Sequence, residues 1–131
     1  MPRFVVLFCV ALFSLLPPAY AQPSKRFPQS MITATEWQQY FDEVKAIPDG
    51  KIQEGQIQTL ISFAGPDRYH IYYFTKPNHP AHPAAIKIAP YVDSSGETRV
   101  TVTGNYAGSK KDFDPWFRWA FDQAARQSAR Q

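Results

Sequence analysis

The chain has 131 residues, of which 14 are Lys or Arg and 11 are Asp or Glu, and its formal net charge at pH 7 is +3. A surplus this small, with the basic residues dispersed along the chain, argues against nucleic acid as a partner. The single cysteine, Cys9, excludes a fold stapled by disulfides, so stability has to come from a packed core.

The first 21 residues are predicted to be a secretory signal peptide. Arg3 supplies the positive charge, residues 4–16 form an apolar run, and Ala19-Tyr20-Ala21 has the small-x-small pattern of a cleavage site. The run is too short to span a bilayer as a stable helix, although an uncleaved membrane anchor is the alternative. A lipoprotein is disfavoured because Cys9 lies in the middle of the run. The mature protein is therefore predicted to be periplasmic or secreted, without a transmembrane segment.

Residues 22–31 are polar, contain two prolines and are predicted to be a flexible leader. A single α+β domain is predicted over residues 32–131. Cleavage lowers the net charge from +3 to +2, because Arg3 is lost. The mature chain contains one leucine, Leu60, and 16 aromatic residues, so rings have to supply most of its core.

A first helix is predicted over residues 34–46. Thr33 and Glu36 have the spacing of a capping box, and Ile32 and Trp37 have that of a hydrophobic staple. Apolar residues recur at helical spacing on one face, namely Trp37, Tyr40, Phe41, Val44 and Ile47. Pro48-Asp49-Gly50 is expected to end the helix.

Four strands are predicted next, because aromatic and β-branched residues alternate with polar ones between turn signals. The predicted strands cover residues 56–64, 69–75, 84–92 and 97–103. Turn signals at residues 65–68 and 93–96 join these strands in two pairs, which predicts antiparallel pairing. Pro90 cannot donate to a ladder, so its strand is expected to end, bulge or lie at a sheet edge there.

A second helix is predicted to close the domain. Ser109 with Asp112 fits a capping box, and Asp114-Pro115 fits a second N-cap pair. The predicted buried face consists of Phe113, Trp116, Phe117, Ala120 and Ala124, with Phe121 beside it. Trp119 falls outside this face and is either an exposed interface anchor or covered by the leader or a loop. The predicted fold is α+β, a four-stranded antiparallel sheet with an N-terminal and a C-terminal helix packed on one face.

The most distinctive segment lies between the second and third predicted strands. Tyr73-Phe74-Thr75-Lys76-Pro77 runs into His79-Pro80-Ala81-His82-Pro83, and a later Ala107-Gly108-Ser109 leads into the aromatic helix. Over about half of the mature chain, these residues resemble a loose group of small exported bacterial proteins of unknown function. The resemblance implies an exported α+β domain and no particular activity.

Three histidines raise the question of a metal site. His70, His79 and His82 are of the residue type that most often binds transition metals. A proline-rich loop favours polyproline II, which would place His79 and His82 about 9 Å apart along its axis. A shared ion has to lie within about 2.1 Å of each ring nitrogen. We therefore favour loop histidines that hydrogen-bond backbone groups and brace the crossover, with metal or small-ligand binding as the alternative.

The aromatic run Tyr69, Tyr72, Tyr73 and Phe74 fits either a ligand surface or a core. We favour the core, with alternate members facing the helices and the others covering an open sheet face.

No catalytic motif is recognisable, since the sequence lacks G-x-S-x-G, H-E-x-x-H and a glycine-rich phosphate loop. Asp112 and Asp114 are explained by the helix start, where carboxylates are favourable. The sequence predicts a non-catalytic exported protein, without a cofactor, that binds a partner protein or an envelope component. A small hydrolase is a third alternative. The candidate contact surface consists of Lys76, Asn78, His79, His82 and Trp119.

Overall fold

A computed structural model describes residues 28–64 and 70–129 of the chain, so the predicted signal peptide and the predicted turn at 65–68 lie outside the described residues. The elements in this part of the chain are β1 (Gln29–Met31), α1 (Ala34–Ala46), β2 (Lys51–Glu54), β3 (Gln58–Phe63), β4 (His70–Thr75), β5 (Ala84–Val92), β6 (Thr98–Tyr106) and α2 (Lys110–Ala129).

The strands form one sheet in the order β1-β6-β5-β4-β3-β2. β1 runs parallel to β6, and every other neighbouring pair is antiparallel. The prediction of a four-stranded antiparallel sheet is therefore wrong, because the sheet is mixed and has an additional strand at each edge. β1 lies within the segment predicted as a leader. Both additional strands are short and exposed at every residue, so neither shows the alternation that marks a half-buried strand.

The two helices pack on opposite faces of the sheet, which corrects the prediction that both cover one face. α1 packs on Tyr72 and Phe74 of β4, whereas α2 packs on Ile71 and Tyr73 of the same strand. Successive side chains of a strand point to opposite faces, so the helices and their cores lie on different sides. The molecule thus has three layers, and β4 is buried on both faces.

α1 has the boundaries and the cap that the sequence predicts. The Thr33 hydroxyl accepts a hydrogen bond from the Glu36 backbone N–H at 3.0 Å, and the Glu36 carboxylate accepts one from the Thr33 N–H at 3.3 Å. Ile32 packs against the same core as Trp37. The Trp37 indole N–H donates to the Ala84 carbonyl at 2.8 Å and so fastens the helix to β5.

The hairpin that joins β5 to β6 also forms as predicted. The Asp93 carboxylate accepts hydrogen bonds from the backbone N–H groups of Ser95 and Glu97. It also forms an ion pair with Arg99. The pKa of Asp93 is held well below its usual range. The hydrogen bond from Arg99 contributes most to this shift, the bond from the Ser95 hydroxyl contributes next, and the turn amides add to it. The Asp93 carboxylate therefore stabilises the turn through several contacts at once.

Pro90 lies within β5, which continues to Val92, so the strand does not end there. It pairs with Val100 of β6. On the other side of β5, pairing with β4 is described over Ala85–Ile88. The residue that this register would place opposite Pro90 lies outside the described part of the chain.

α2 is a single helix that continues through Pro115. Its predicted buried face is confirmed, since Phe113, Trp116, Phe117, Ala120 and Ala124 are buried. Gly104 of β6 allows this close approach, because a Cβ atom there would lie 2.8 Å from the Phe117 ring. Over the two described stretches, no helix is both long enough and apolar enough to cross a membrane.

Candidate functional site

The segment Lys76–Pro83, here called the His/Pro loop, connects β4 to β5 and is tied to the turn between β2 and β3. The Lys76 backbone N–H donates to the Ile57 carbonyl at 2.8 Å, and the Lys76 ammonium donates to the Gly55 carbonyl at 2.6 Å. The Asn78 amide donates to the Gln56 carbonyl at 3.0 Å. These bonds satisfy three carbonyl groups of the turn and hold the first part of the loop in place.

His79 is buried on the α2 side of the sheet. Its Nδ1 accepts a hydrogen bond from the Ala81 backbone N–H at 2.9 Å, and its ring lies 4.8 Å from that of Trp116. The Trp116 indole N–H in turn donates to the Gln58 side chain at 2.9 Å. Burial, and secondarily the neighbouring His82, lower the pKa of His79. The site therefore favours the neutral imidazole, whose Nδ1 is an acceptor.

His82 points to the α1 side, where its ring lies 5.0 Å from that of Trp37 in an edge-on arrangement. Its Nδ1 is 2.8 Å from the Thr75 hydroxyl oxygen, which also accepts the Ala84 backbone N–H at 2.9 Å. The same hydroxyl donates to the Ala84 carbonyl at 3.2 Å. Nδ1 of His82 is thus engaged by Thr75, and Nε2 is the ring nitrogen left for another partner.

The structure does not bring the three histidines together. His79 and His82 contact tryptophans on opposite faces of the sheet, and His70 lies at the other end of β4. Within residues 28–64 and 70–129, no group of three or more His, Cys, Asp and Glu side chains could hold a metal ion. The side chains of the two loop histidines hold the loop in different ways. The His79 ring accepts a hydrogen bond from a backbone N–H, as predicted, whereas the His82 ring contacts the Thr75 hydroxyl and not the backbone.

A groove lies between α1 and the β2–β3 end of the sheet, with a volume of about 430 Å³. We call it the lysine–aromatic groove. Its lining comes from α1, β2, β3, the end of β4 and the His/Pro loop: Trp37, Gln38, Phe41, Lys45, Glu54, Thr59, Thr75, Lys76, Pro77 and His82. Two of the predicted contact residues, Lys76 and His82, therefore belong to one concave surface.

Three polar side chains on one side of the groove, those of Glu54, Thr59 and Lys76, contact one another. Lys76 and Glu54 form an ion pair at 2.9 Å, and the buried Thr59 hydroxyl donates to the same Glu54 oxygen at 3.0 Å. The hydrogen bond from Lys76 makes the largest contribution to the lowered pKa of Glu54, and the hydrogen bond from Thr59 makes the next largest. The Glu54 carboxylate is therefore ionised at neutral pH and neutralises the Lys76 charge.

Lys45 and Phe41 lie on the α1 side of the groove. The Lys45 ammonium lies 4.9 Å from the centroid of the Phe41 ring, a cation–π distance. Phe41 stacks on Trp37 with ring centroids 5.4 Å apart. No Lys45 ion pair is present in the described part of the chain. The groove thus combines an apolar wall with one cation that no carboxylate neutralises by direct contact.

The remaining predicted contact residues lie elsewhere. Trp119 is 37 % exposed and packs edge-on against Tyr73 at 5.3 Å, on the α2 side. His79 is buried, and the Asn78 amide is used by the β2–β3 turn. The five predicted residues therefore do not form a single surface.

The aromatic run of β4 is core on both faces of the sheet. Tyr72 and Phe74 lie under α1, and Tyr73 lies under α2. The expectation that one set would cover an open face is wrong because the helices lie on opposite sides. Tyr69 lies outside the described residues.

The Thr75–His82 pair has the separation of a nucleophile and its base, but its surroundings point to a structural role. Thr75 is 3 % exposed, and its hydroxyl bonds to the backbone of Ala84 where the β4–β5 ladder ends. A hydroxyl held in this way is poorly placed to attack a substrate.

The sequence is matched by no protein-family model, and comparison with curated proteins and with solved structures also finds no match. The resemblance to small exported proteins therefore stays a prediction.

Sequence reasoning missed most of the groove lining, because α1, β2 and β3 contribute Lys45, Glu54 and Thr59 from separate parts of the chain. The capping box and the Trp37–Phe41 spacing were visible in the sequence, but their position relative to β2 was not, since β2 itself was not predicted.

Proposed function

We propose that this chain is an exported, non-catalytic protein that binds a partner protein or an envelope component through the lysine–aromatic groove. The observation that carries the proposal is the composition of the groove, in which aromatic rings and an unneutralised lysine line one open concavity. Concave sites with an apolar wall and few polar groups are the usual form of a binding site.

Binding fits the groove better than catalysis because its polar side chains are already committed to one another. Glu54 is held by Lys76 and Thr59. His82 is held by Thr75 through Nδ1. A general base or a nucleophile needs a free lone pair directed at its substrate, and these contacts occupy Oε2 of Glu54 and Nδ1 of His82.

Export is part of the same proposal and is supported by residues 1–21, whose apolar run is followed by Ala19-Tyr20-Ala21. The measurement is the intact mass of the protein recovered from the periplasm and from the medium. Processing before Gln22 is expected. A full-length chain retained in the membrane fraction would contradict the proposal and support the uncleaved anchor.

Site-directed photocrosslinking in living cells tests the groove as a contact surface. A photoreactive amino acid is placed at Gln38, which is exposed and lines the groove, and in a separate variant at Lys111, which is exposed on α2. We expect an adduct of defined mass from position 38 and none from position 111. The adduct should weaken when Lys45→Gln or His82→Ala is added.

Two outcomes would refute the groove as the contact surface. One is the absence of any adduct from position 38. The other is an adduct of equal yield from both positions, which would indicate random collision in the envelope.

A further inference from the structure

Lys45 is the lysine of the groove for which the described residues supply no carboxylate partner. Among the charged side chains of the lining, Glu54 neutralises Lys76 at 2.9 Å, whereas Lys45 lies over the Phe41 ring and forms no ion pair with any described residue. Lys45 nevertheless lies within the same electrostatic field, since it contributes to the lowered pKa of Glu54. The lining therefore has a net charge of +1, which is complementary to a ligand with a carboxylate.

His82 adds a second polar group to this surface. Its Nδ1 is engaged by the Thr75 hydroxyl, so Nε2 is the ring nitrogen left for a ligand. The residue is half-buried and lines the groove. A carboxylate has two oxygens and accepts hydrogen bonds in ionised form, so the Lys45 ammonium is a suitable partner for it, and so is Nε2 of His82 when that nitrogen carries a proton.

The apolar wall of the groove restricts the kind of chemical group that a ligand can carry next to its carboxylate. Trp37 is buried, and its ring contacts His82, Phe41 and Phe74, so its face is not an open platform for a sugar ring. A saccharide would also need several free hydrogen-bonding groups for its hydroxyls. The Thr59 and Thr75 hydroxyls and Oε2 of Glu54 are already bonded to other protein groups. These features favour an apolar neighbour next to a single anion.

We infer that the groove binds an acidic segment of a partner polypeptide, in which an Asp or Glu carboxylate pairs with Lys45 and an adjacent apolar side chain packs against Phe41. This inference rests on the proposed function and specifies the chemistry of the partner. A groove of about 430 Å³ can hold a few residues of an extended chain.

The test is an NMR titration of the ¹⁵N-labelled mature protein with two capped peptides. One is acetyl-Ala-Leu-Glu-Leu-Ala-amide and the other has Gln in place of Glu. The Glu peptide is expected to shift the amide signals of Gln38, Lys45 and Glu54. The Gln peptide is expected to bind about 1.5- to 5-fold more weakly, the range that corresponds to the loss of one exposed ion pair.

Lys45→Gln supplies the matched variant, because Lys45 is exposed and makes no hydrogen bond in the described part of the chain. It should weaken binding of the Glu peptide by the same factor and leave the Gln peptide unaffected. Lys111→Gln, which removes a lysine of α2, should change neither affinity. Raising the salt concentration should reduce the difference between the two peptides.

Equal affinity for the Glu and Gln peptides, or no effect of Lys45→Gln, would overturn the inference. Failure of both peptides to shift the groove signals while glucuronic acid shifts them would also overturn it and identify an acidic saccharide as the ligand. In each case an adduct from position 38 would still support the groove as a contact surface. Absence of that adduct would instead refute the proposed function itself.

Discussion

Protonation of His79 is expected to destabilise the folded protein. Its Nδ1 accepts the Ala81 N–H, and burial lowers its pKa below the ordinary value of 6.5. The unfolded chain therefore takes up the proton at a higher pH than the folded protein does. The stability linked to His79 is complete above about pH 6.5 and is lost as the pH falls through the lowered pKa of the folded state.

Urea denaturation at a series of pH values measures this effect. The free energy of unfolding of the native protein should decrease between about pH 7 and about pH 5, and His79→Gln should show a shallower decrease because Gln does not titrate. The same pH dependence in both proteins would show that burial of His79 has no such consequence.

Gly104 is a position where a single methyl group is expected to be costly. A Cβ atom there would contact the Phe113 ring and lie 2.8 Å from the Phe117 ring. Gly104→Ala should therefore destabilise the protein by about 1–3 kcal/mol, the usual range for overpacking. Thr103→Ala is the control, since residue 103 precedes it on β6 and faces the other side of the sheet. A thermal melt in which both variants lose the same stability would contradict the packing argument.

At the scale of elements, the Thr75 hydroxyl closes the β4–β5 ladder. It accepts the Ala84 N–H at 2.9 Å and contacts Nδ1 of His82. Thr75→Val keeps the shape of the side chain but leaves the buried Ala84 N–H without an acceptor, which should cost about 1–3 kcal/mol. Thr75→Ser keeps the hydroxyl and loses one methyl group, about 0.8 kcal/mol.

Chemical denaturation of the two variants separates these contributions. The loss should be clearly larger for Thr75→Val than for Thr75→Ser. The reverse order would mean that packing of the methyl group, and not the hydrogen bond, stabilises the end of β4.

Elements with strong local signals were predictable from the sequence, and the edge strands were not. The capping box of Thr33 and the turn around Asp93 act within a few residues, so their sequence patterns sufficed. β1 and β2 are three and four residues long and exposed throughout, so their hydrogen bonds, and not a buried face, define them. A pattern of side chains carries little information about such strands.

At the scale of the whole molecule, one sequence signal indicates that the helices lie on opposite faces of the sheet. Ile71-Tyr72-Tyr73-Phe74 is a continuous apolar run, which is typical of a strand buried on both faces and not of one with an open face. The groove could not be predicted from the sequence in the same way, because its lining combines α1 with an unpredicted strand. Lys76 and His82 were predictable because their loop has an unusual composition, rich in proline and histidine.

The parallel placement of β1 beside β6 can be tested with an engineered disulfide. Ser30 pairs with Asn105, and neighbouring strands lie about 4.8 Å apart, which is within reach of a disulfide. The chain after residue 21 contains no cysteine, so no native thiol can compete for the engineered pair.

Ser30→Cys with Asn105→Cys should oxidise completely, whereas Ser30→Cys with Thr103→Cys, roughly 8 Å apart, should not. Intact mass before and after reduction gives the result. Efficient oxidation of the second pair alone would contradict the register.

The His/Pro loop has a consequence for how the molecule unfolds. His79 packs on Trp116 in one core and His82 packs on Trp37 in the other, so a single loop between β4 and β5 inserts a ring into each side of the sheet. Loss of either core frees the loop and removes a contact from the opposite core. α1 and α2, which lie on different faces, are therefore coupled into one cooperative unit, and their amides should exchange with solvent through the same global opening.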